Sequence, residues 1–222
     1  MLKQDPTIRD SIAQIFSSAA NDVVRAQMRR ISQEPQITSK VVDRMEQAAK
    51  IWNVSNYSLS AIAHDFPDRG RGSLDSKTGT DLFIGLRLQD FSSGYTLKKG
   101  LLVQSKLSKG LNGAAQKLLV DQCNEMLNRT RSGAFVWLYD DLGVTTVPAT
   151  EVVANSKIRA TNLHSRNLTE FFRDTLDCFL GDQFLINGFE DMFDNVNVFN
   201  GFLRELSIRK GLAVDIQGNL DS

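Results

Sequence analysis

The stretch Leu101-Leu102-Val103-Gln104-Ser105-Lys106-Leu107 sets two polar side chains, Gln104 and Lys106, into an otherwise apolar run. Side chains on a strand alternate between faces. Leu102, Gln104 and Lys106 therefore share one face, and Val103, Ser105 and Leu107 the other. A lysine in such a run is costly to bury unless it is paired. An acid is available upstream, because Thr80-Asp81-Leu82-Phe83-Ile84-Gly85-Leu86-Arg87-Leu88 is a second strand signal, separated from the first by a loop containing Ser92-Ser93-Gly94. If the two strands form a hairpin, Asp81 lies beside Lys106.

Outward from this pair, residues 57–64 alternate as a strand. Ala134-Phe135-Val136-Trp137-Leu138-Tyr139 reads as a buried strand, and Val144-Thr145-Thr146-Val147 as the next, stopped by Pro148. Helical spacing predicts helices over 7–31, 112–130 and 168–181. A further one is predicted over 39–52, capped by Thr38 or Ser39, with Pro35 interrupting before it. The order helix, three strands, helix, two strands predicts an α/β fold, a mixed sheet flanked by helices. An N-terminal helix precedes it. A Phe-rich helical C-terminal extension follows over about 151–222, ending in a strand near Gly211–Ile216. Nothing demands more than a single domain over 1–222.

The 222 residues carry 26 Lys+Arg against 26 Asp+Glu, which excludes a uniformly basic protein coating nucleic acid. The neutrality is uneven. Residues 97–131 hold seven cations against two carboxylates, and Lys157, Arg159 and Arg166 stand in 156–166 without an acid. Residues 170–205 hold eight carboxylates against two arginines, and eight of the 13 phenylalanines lie beyond residue 170. The basic middle is expected to face phosphate and the acidic tail to pack or to meet a second copy or a partner subunit. Two cysteines without a C-x-x-C pair, and scattered His64 and His164, argue against a zinc site. No apolar run reaches the ~18 residues of a membrane span, and the first residues carry no signal-peptide core, so the expectation is a cytoplasmic protein that engages no membrane.

Gly79-Thr80-Asp81, then Gln104-Ser105-Lys106 23 residues on from Asp81, then a helix and a hydrophobic strand, resembles the PD-(D/E)XK nuclease superfamily. The likeness is to the branch with Gln-x-Lys, as in Mrr-like restriction endonucleases and related phage-defence nucleases, and it spans about residues 34–150. The resemblance implies an αβββαβ restriction-endonuclease-like core and a Mg²⁺ (or Mn²⁺) site. In it Asp81 would bind the metal, Gln104 would offer its side-chain oxygen or the adjacent main-chain carbonyl, and Lys106 would be the catalytic lysine. A carboxylate from the preceding helix would complete the set. Glu46, which flanks the apolar face beside Val42 and Ala49, is the first candidate, with Glu34 and Asp75 as rivals.

Lys109, Lys117 and Gln122 are the candidate nucleic-acid contacts, and Gln122 could equally be a helix residue without a role. Arg69 and Arg71 belong to a basic loop or to an ordinary turn. His64 is a general base or a partly buried histidine. Ser105 faces away from Lys106, against a Ser-Lys nucleophile pair. The expected function is a metal-dependent DNA endonuclease, an effector of restriction or phage defence. The alternatives are a catalytically inactive nuclease-like module for nucleic-acid binding or assembly, and a protein-interaction domain using the acidic, aromatic tail.

Overall fold

The first helix, α1 (Pro6–Met28), begins where Asp5 accepts a hydrogen bond from the Ile8 amide and Pro6 occupies the first turn. It buries Ile8, Ile12, Phe16, Ala20 and Val24, one residue per turn. The second, α2 (Glu34–Ile51), starts five residues before the predicted start at 39. Pro35 does not interrupt it but sits in its first turn, where the missing N–H has no helical partner to lose. Thr38 is therefore inside the helix, its hydroxyl donating to the Glu34 carbonyl at 3.0 Å. The computed structural model describes residues 5–30, 33–66 and 79–218. Asp75, Arg69 and Arg71 lie outside them.

After α2 come β1 (Tyr57–Asp65), β2 (Leu82–Asp90) and β3 (Tyr95–Leu107), then α3 (Gly113–Leu127), β4 (Ala134–Asp140) and β5 (Gly143–Pro148). The chain continues through α4 (Ala149–Ala154), a short β6 (Arg166–Asn167), α5 (Leu168–Leu176), α6 (Val196–Glu205) and β7 (Lys210–Gly218). Among the described residues these strands form one mixed, open sheet in the order β1-β7-β2-β3-β4-β5-β6. The last strand thus lies between the first two. It runs antiparallel to β1 and parallel to β2, with Val214 opposite Ala61 on one side and Leu86 on the other. The boundary predicted near residue 150 does not divide a core from an appendage, because without β7 neither β1 nor β2 has its inner neighbour.

Helices cover both faces. On one, α1, α2 and α5 pack over Leu101, Val103, Phe135 and Trp137, with the Phe171 ring edge-on to Phe135 and Trp137 at 5.1 and 6.0 Å. On the other, α3 and α6 pack over Phe83, Leu102, Val136 and Leu138, with Phe202 edge-on to Phe83 at 4.7 Å. The phenylalanine-rich tail is accordingly core on both sides of the sheet. Phe179 and Phe184 are its open rings, 67% and 81% exposed.

Two buried cations tie the tail to the sheet. Arg87 on β2 grips its cross-strand partner Asp215 on β7 through Nε and Nη2, at 2.7 and 2.8 Å, and reaches Asp194 with two more bonds at 2.5 and 2.6 Å. Asp215 first, and Asp194 second, raise the Arg87 pKa above its ordinary value. Lys99 on β3 donates to the carbonyls of Thr175 and Leu180 at the end of α5, and burial draws its ammonium from 10.5 down to about 8.

Replacing Arg87 by Met leaves Asp215 buried without a counter-charge, with only the Gln217 amide still donating to it at 2.7 Å, and should cost about 3–5 kcal/mol in urea unfolding. Arg87→Met combined with Asp215→Leu should recover most of the loss, and Asp194→Asn, at a carboxylate 58% exposed, should cost far less. Lys99 yields a pH signature. Its folded pKa is depressed, so the folded state releases the proton first, and its burial penalty fades as pH rises from about 8 to 10.5. The stability of the wild type relative to Lys99→Met should therefore climb by up to ~3 kcal/mol across that window, and a flat difference would contradict it.

Candidate active site at the bare edge of β3

β3 is longer than β2 at one end. Leu82, the first residue of β2, pairs with Val103, and the Asp81 amide makes the last rung by donating to the Val103 carbonyl at 2.9 Å. From Gln104 onward β3 has β4 on one side and, among the described residues, no strand on the other. Peptide groups alternate sides along a strand, so the amides of Ser105 and Leu107 point into this notch without a ladder partner. Carboxylates meet both. Ser105 N–H donates to Asp81 Oδ2 at 3.0 Å, and Leu107 N–H donates to Glu34 Oε1 at 2.8 Å.

The rest of the site is built on these two anchors. Asp81 Oδ2 also accepts from Ser105 Oγ at 2.8 Å and Gln104 Nε2 at 2.5 Å, while Oδ1 is left without a hydrogen bond among the described residues. Glu34 Oε2 stands 3.7 Å from Lys106 Nζ, an ion pair too long to be a hydrogen bond. Thr38, one turn along α2 from Glu34, shares hydrogen bonds with Ser105 Oγ at 2.8 Å and Tyr139 Oη at 3.1 Å. Burial raises the Tyr139 hydroxyl above the ordinary phenol pKa, so it remains a neutral group in this network. Gln104 is 2% exposed, and its carbonyl oxygen is buried with no hydrogen-bond partner. Beneath Lys106 lies Cys123 of α3, whose thiol is pushed up to about 12 by burial and stays protonated.

The strand alternation expected from sequence is the one observed. Ser105 joins the α2 side, and Gln104 and Lys106 the α3 side. Asp81 and Gln104 meet as expected, but the acid paired with Lys106 is Glu34, not its expected partner Asp81, and the helical carboxylate here is not Glu46. Glu46 accepts a hydrogen bond from the Ala63 amide of β1 at 3.4 Å and pairs with Lys50 at 3.3 Å. It lies 12 residues from Glu34, about 18 Å farther along the helix axis. His64, on β1, packs edge-on to Phe66 with ring centroids 4.3 Å apart, and burial lowers its pKa. With β7 between β1 and β2, it is two strands, about 10 Å, from β2.

The expected nucleic-acid residues separate. The Gln122 backbone packs against Gly79, two residues before Asp81. Gly79, with φ of +63°, lies so close to α3 that a Cβ there would be 2.3 Å from the Gln122 carbonyl, so the approach requires glycine. Lys109 is exposed and paired with Asp141 at 2.8 Å. Lys117 is turned about 140° from Gln122 around α3 and faces a different cavity. Sequence reading passed over Thr38 as a cap and Tyr139 as a core residue. The signal that would have found Glu34 was Pro35, read as a first-turn residue instead of a breaker.

The oxygens gathered here are two carboxylates and one amide. Among the described residues no three His, Cys, Asp or Glu side chains come together as a metal cluster. No protein-family model, curated protein or solved structure matches the chain.

If the carboxylates close the bare edge, Asp81→Ala should speed amide exchange at Ser105 by roughly tenfold or more and leave Leu107 protected. Glu34→Ala should do the converse. Unchanged exchange at both amides in both variants would contradict this account of the notch.

Proposed function

We propose that this chain is a metal-dependent DNA endonuclease of the PD-(D/E)XK type in its Gln-x-Lys form, with Asp81, Gln104, Lys106 and Glu34 as its active site. The observation that carries the reading is the notch itself: two carboxylates, an unpartnered buried amide oxygen and a lysine meet where β3 outruns β2. The order α2-β1-β2-β3-α3-β4 supports it, with β7 as an addition between β1 and β2. An effector role in restriction or phage defence, alongside a second copy or a partner subunit, rests on the same resemblance.

The residues present suit a hard divalent cation. Asp81 Oδ1 and Gln104 Oε1 are oxygens without hydrogen bonds among the described residues, and Glu34 adds the negative charge that glutamine at 104 removes. When bound, Mg²⁺ or Mn²⁺ would supply Lewis acidity at the scissile phosphate and make a bound water more acidic. The protein's own contributions follow from the geometry. Backbone amides hold Asp81 and Glu34 in place before substrate arrives, so little ordering remains at the moment of reaction. Lys106 Nζ, in a loose ion pair with its side chain 13% exposed, can turn to orient the attacking water or to offset charge on the phosphate. The Thr38–Ser105–Tyr139 hydrogen bonds fix the first turn of α2, and with it Glu34.

A second reading has an observation of its own. Both carboxylates already serve the backbone of an uncovered edge, and no third acid joins them among the described residues. That arrangement also suits a catalytically inactive nuclease-like module that binds nucleic acid or assembles with other chains.

Cleavage of plasmid DNA with Mg²⁺ or Mn²⁺ decides between them. Lys106→Ala is the cleanest variant, because its side chain supports no backbone group, and it should lower the rate by about 10²–10⁴-fold without loss of folding. Asp81→Ala and Glu34→Gln should be comparably impaired, whereas Glu46→Gln should cut as the wild type does. A Lys106→Ala protein that still cut would sink the endonuclease assignment. A folded wild type that bound DNA and cut nothing would establish the inactive module.

A further inference from the structure

Gly113, Gln116, Lys117 and Val120 recur at three- and four-residue spacing and form one stripe of α3. The stripe faces Ser156, Lys157 and Arg159 in the segment after α4, and a cavity of about 530 Å³ lies between them. Three of its seven lining residues are cations, and none is an acid. None of the three cations is held in an ion pair by a described carboxylate. Gly113 is the first residue of α3, so the positive end of a 15-residue helix opens on the same space.

An independent observation marks the wall. Gln116 is only 6% exposed. Its Oε1 accepts a hydrogen bond from the Ala160 amide at 3.1 Å, which orients the side chain and leaves Nε2 buried with no partner. A buried donor is normally satisfied, and a donor left over on the wall of a cationic cavity calls for an acceptor. The cavity is also separate from the notch at β3. Gln122, packed on Gly79 two residues before Asp81, is nine residues from Gly113, which is about 180° around the helix. The two sites therefore lie on opposite sides of α3.

We propose that this cavity is a phosphate-binding site for a phosphorylated small molecule of about mononucleotide size, with Lys117, Lys157 and Arg159 around the phosphate and Gln116 donating from the wall. The volume falls within the range of small-ligand pockets, and Val120 together with the aliphatic stems of the lysines gives the remainder of the ligand an apolar surface. The inference does not depend on the endonuclease reading.

Isothermal titration of the full chain with inorganic phosphate, with AMP and with a short DNA duplex tests it. AMP should bind saturably at one site per chain. Arg159→Ala and Lys117→Ala, both at exposed positions where folding is not at risk, should weaken it at least tenfold, and Lys106→Ala should leave it within about twofold. The proposal is overturned if neither phosphate nor AMP saturates, or if both cavity variants bind AMP like the wild type. It is equally overturned if the duplex alone binds and those two variants lose only the duplex, since the cations would then be contacts to a DNA backbone. Because the readout is binding, failure here is distinct from failure of the cleavage assay.

Discussion

Two amide groups without a described strand to pair with organise the end of the sheet that carries the candidate site. A sheet edge is ordinarily covered by another strand, by a loop or by water, and an unpaired donor that is partly buried is unfavourable. Here the amides of Ser105 and Leu107 are met by Asp81 and Glu34, from two different elements. The same bonds that complete the edge of β3 hold two carboxylates beside Gln104 and Lys106. Structural need and candidate chemistry are therefore served by the same atoms. That is why the carboxylates are well placed, and why their geometry alone is compatible with both readings of the protein.

The far end of the chain meets β2 on its other side. β7 inserts there, and its first residue, Lys210, pairs with Leu82, so the two parallel strands begin level with each other. The Arg87 fork to Asp215 and Asp194 locks this register, with rigid bidentate geometry rather than a flexible point charge. The phenylalanines of the tail then seal both faces. The acidic, aromatic segment, expected to pack or to meet a second copy or a partner, is chiefly the interior of the fold. Its carboxylates include the exposed Asp191 and Glu205 and the arginine partners Asp177 and Asp194.

Much of the fold was legible in the sequence because periodicity reports burial directly. β3, β4 and α3 lie where alternation and helical spacing put them, and the separate faces of Ser105 and Lys106 follow from the pleat alone. The failures have identifiable causes. Pro35 was taken as a break, although proline is well suited to the first helical turn, and that single reading moved the start of α2 past Glu34. Glu46 then became the natural choice of carboxylate, because it lies beside the apolar stripe. Position on a stripe tells which way a residue faces the sheet, and nothing of how far along the helix axis the bare edge of β3 lies. Lys117 and Gln122 were grouped by charge and proximity in sequence, and the turn of α3 sends them to different sites.

From the sequence alone came an α/β chain with a mixed sheet, helices on its faces, and the Asp81, Gln104 and Lys106 constellation. These depend on residue type and local spacing, which hydrophobic periodicity encodes within a dozen residues. Tertiary structure decided that β7 lies between β1 and β2, that the aromatic tail is core, and that Glu34 is the second carboxylate. Each of these depends on a pairing between residues far apart in the chain, between Arg87 and Asp215 or between Glu34 and Leu107. The composition of either segment does not specify such pairings. They emerge from satisfying every buried hydrogen-bonding group at once.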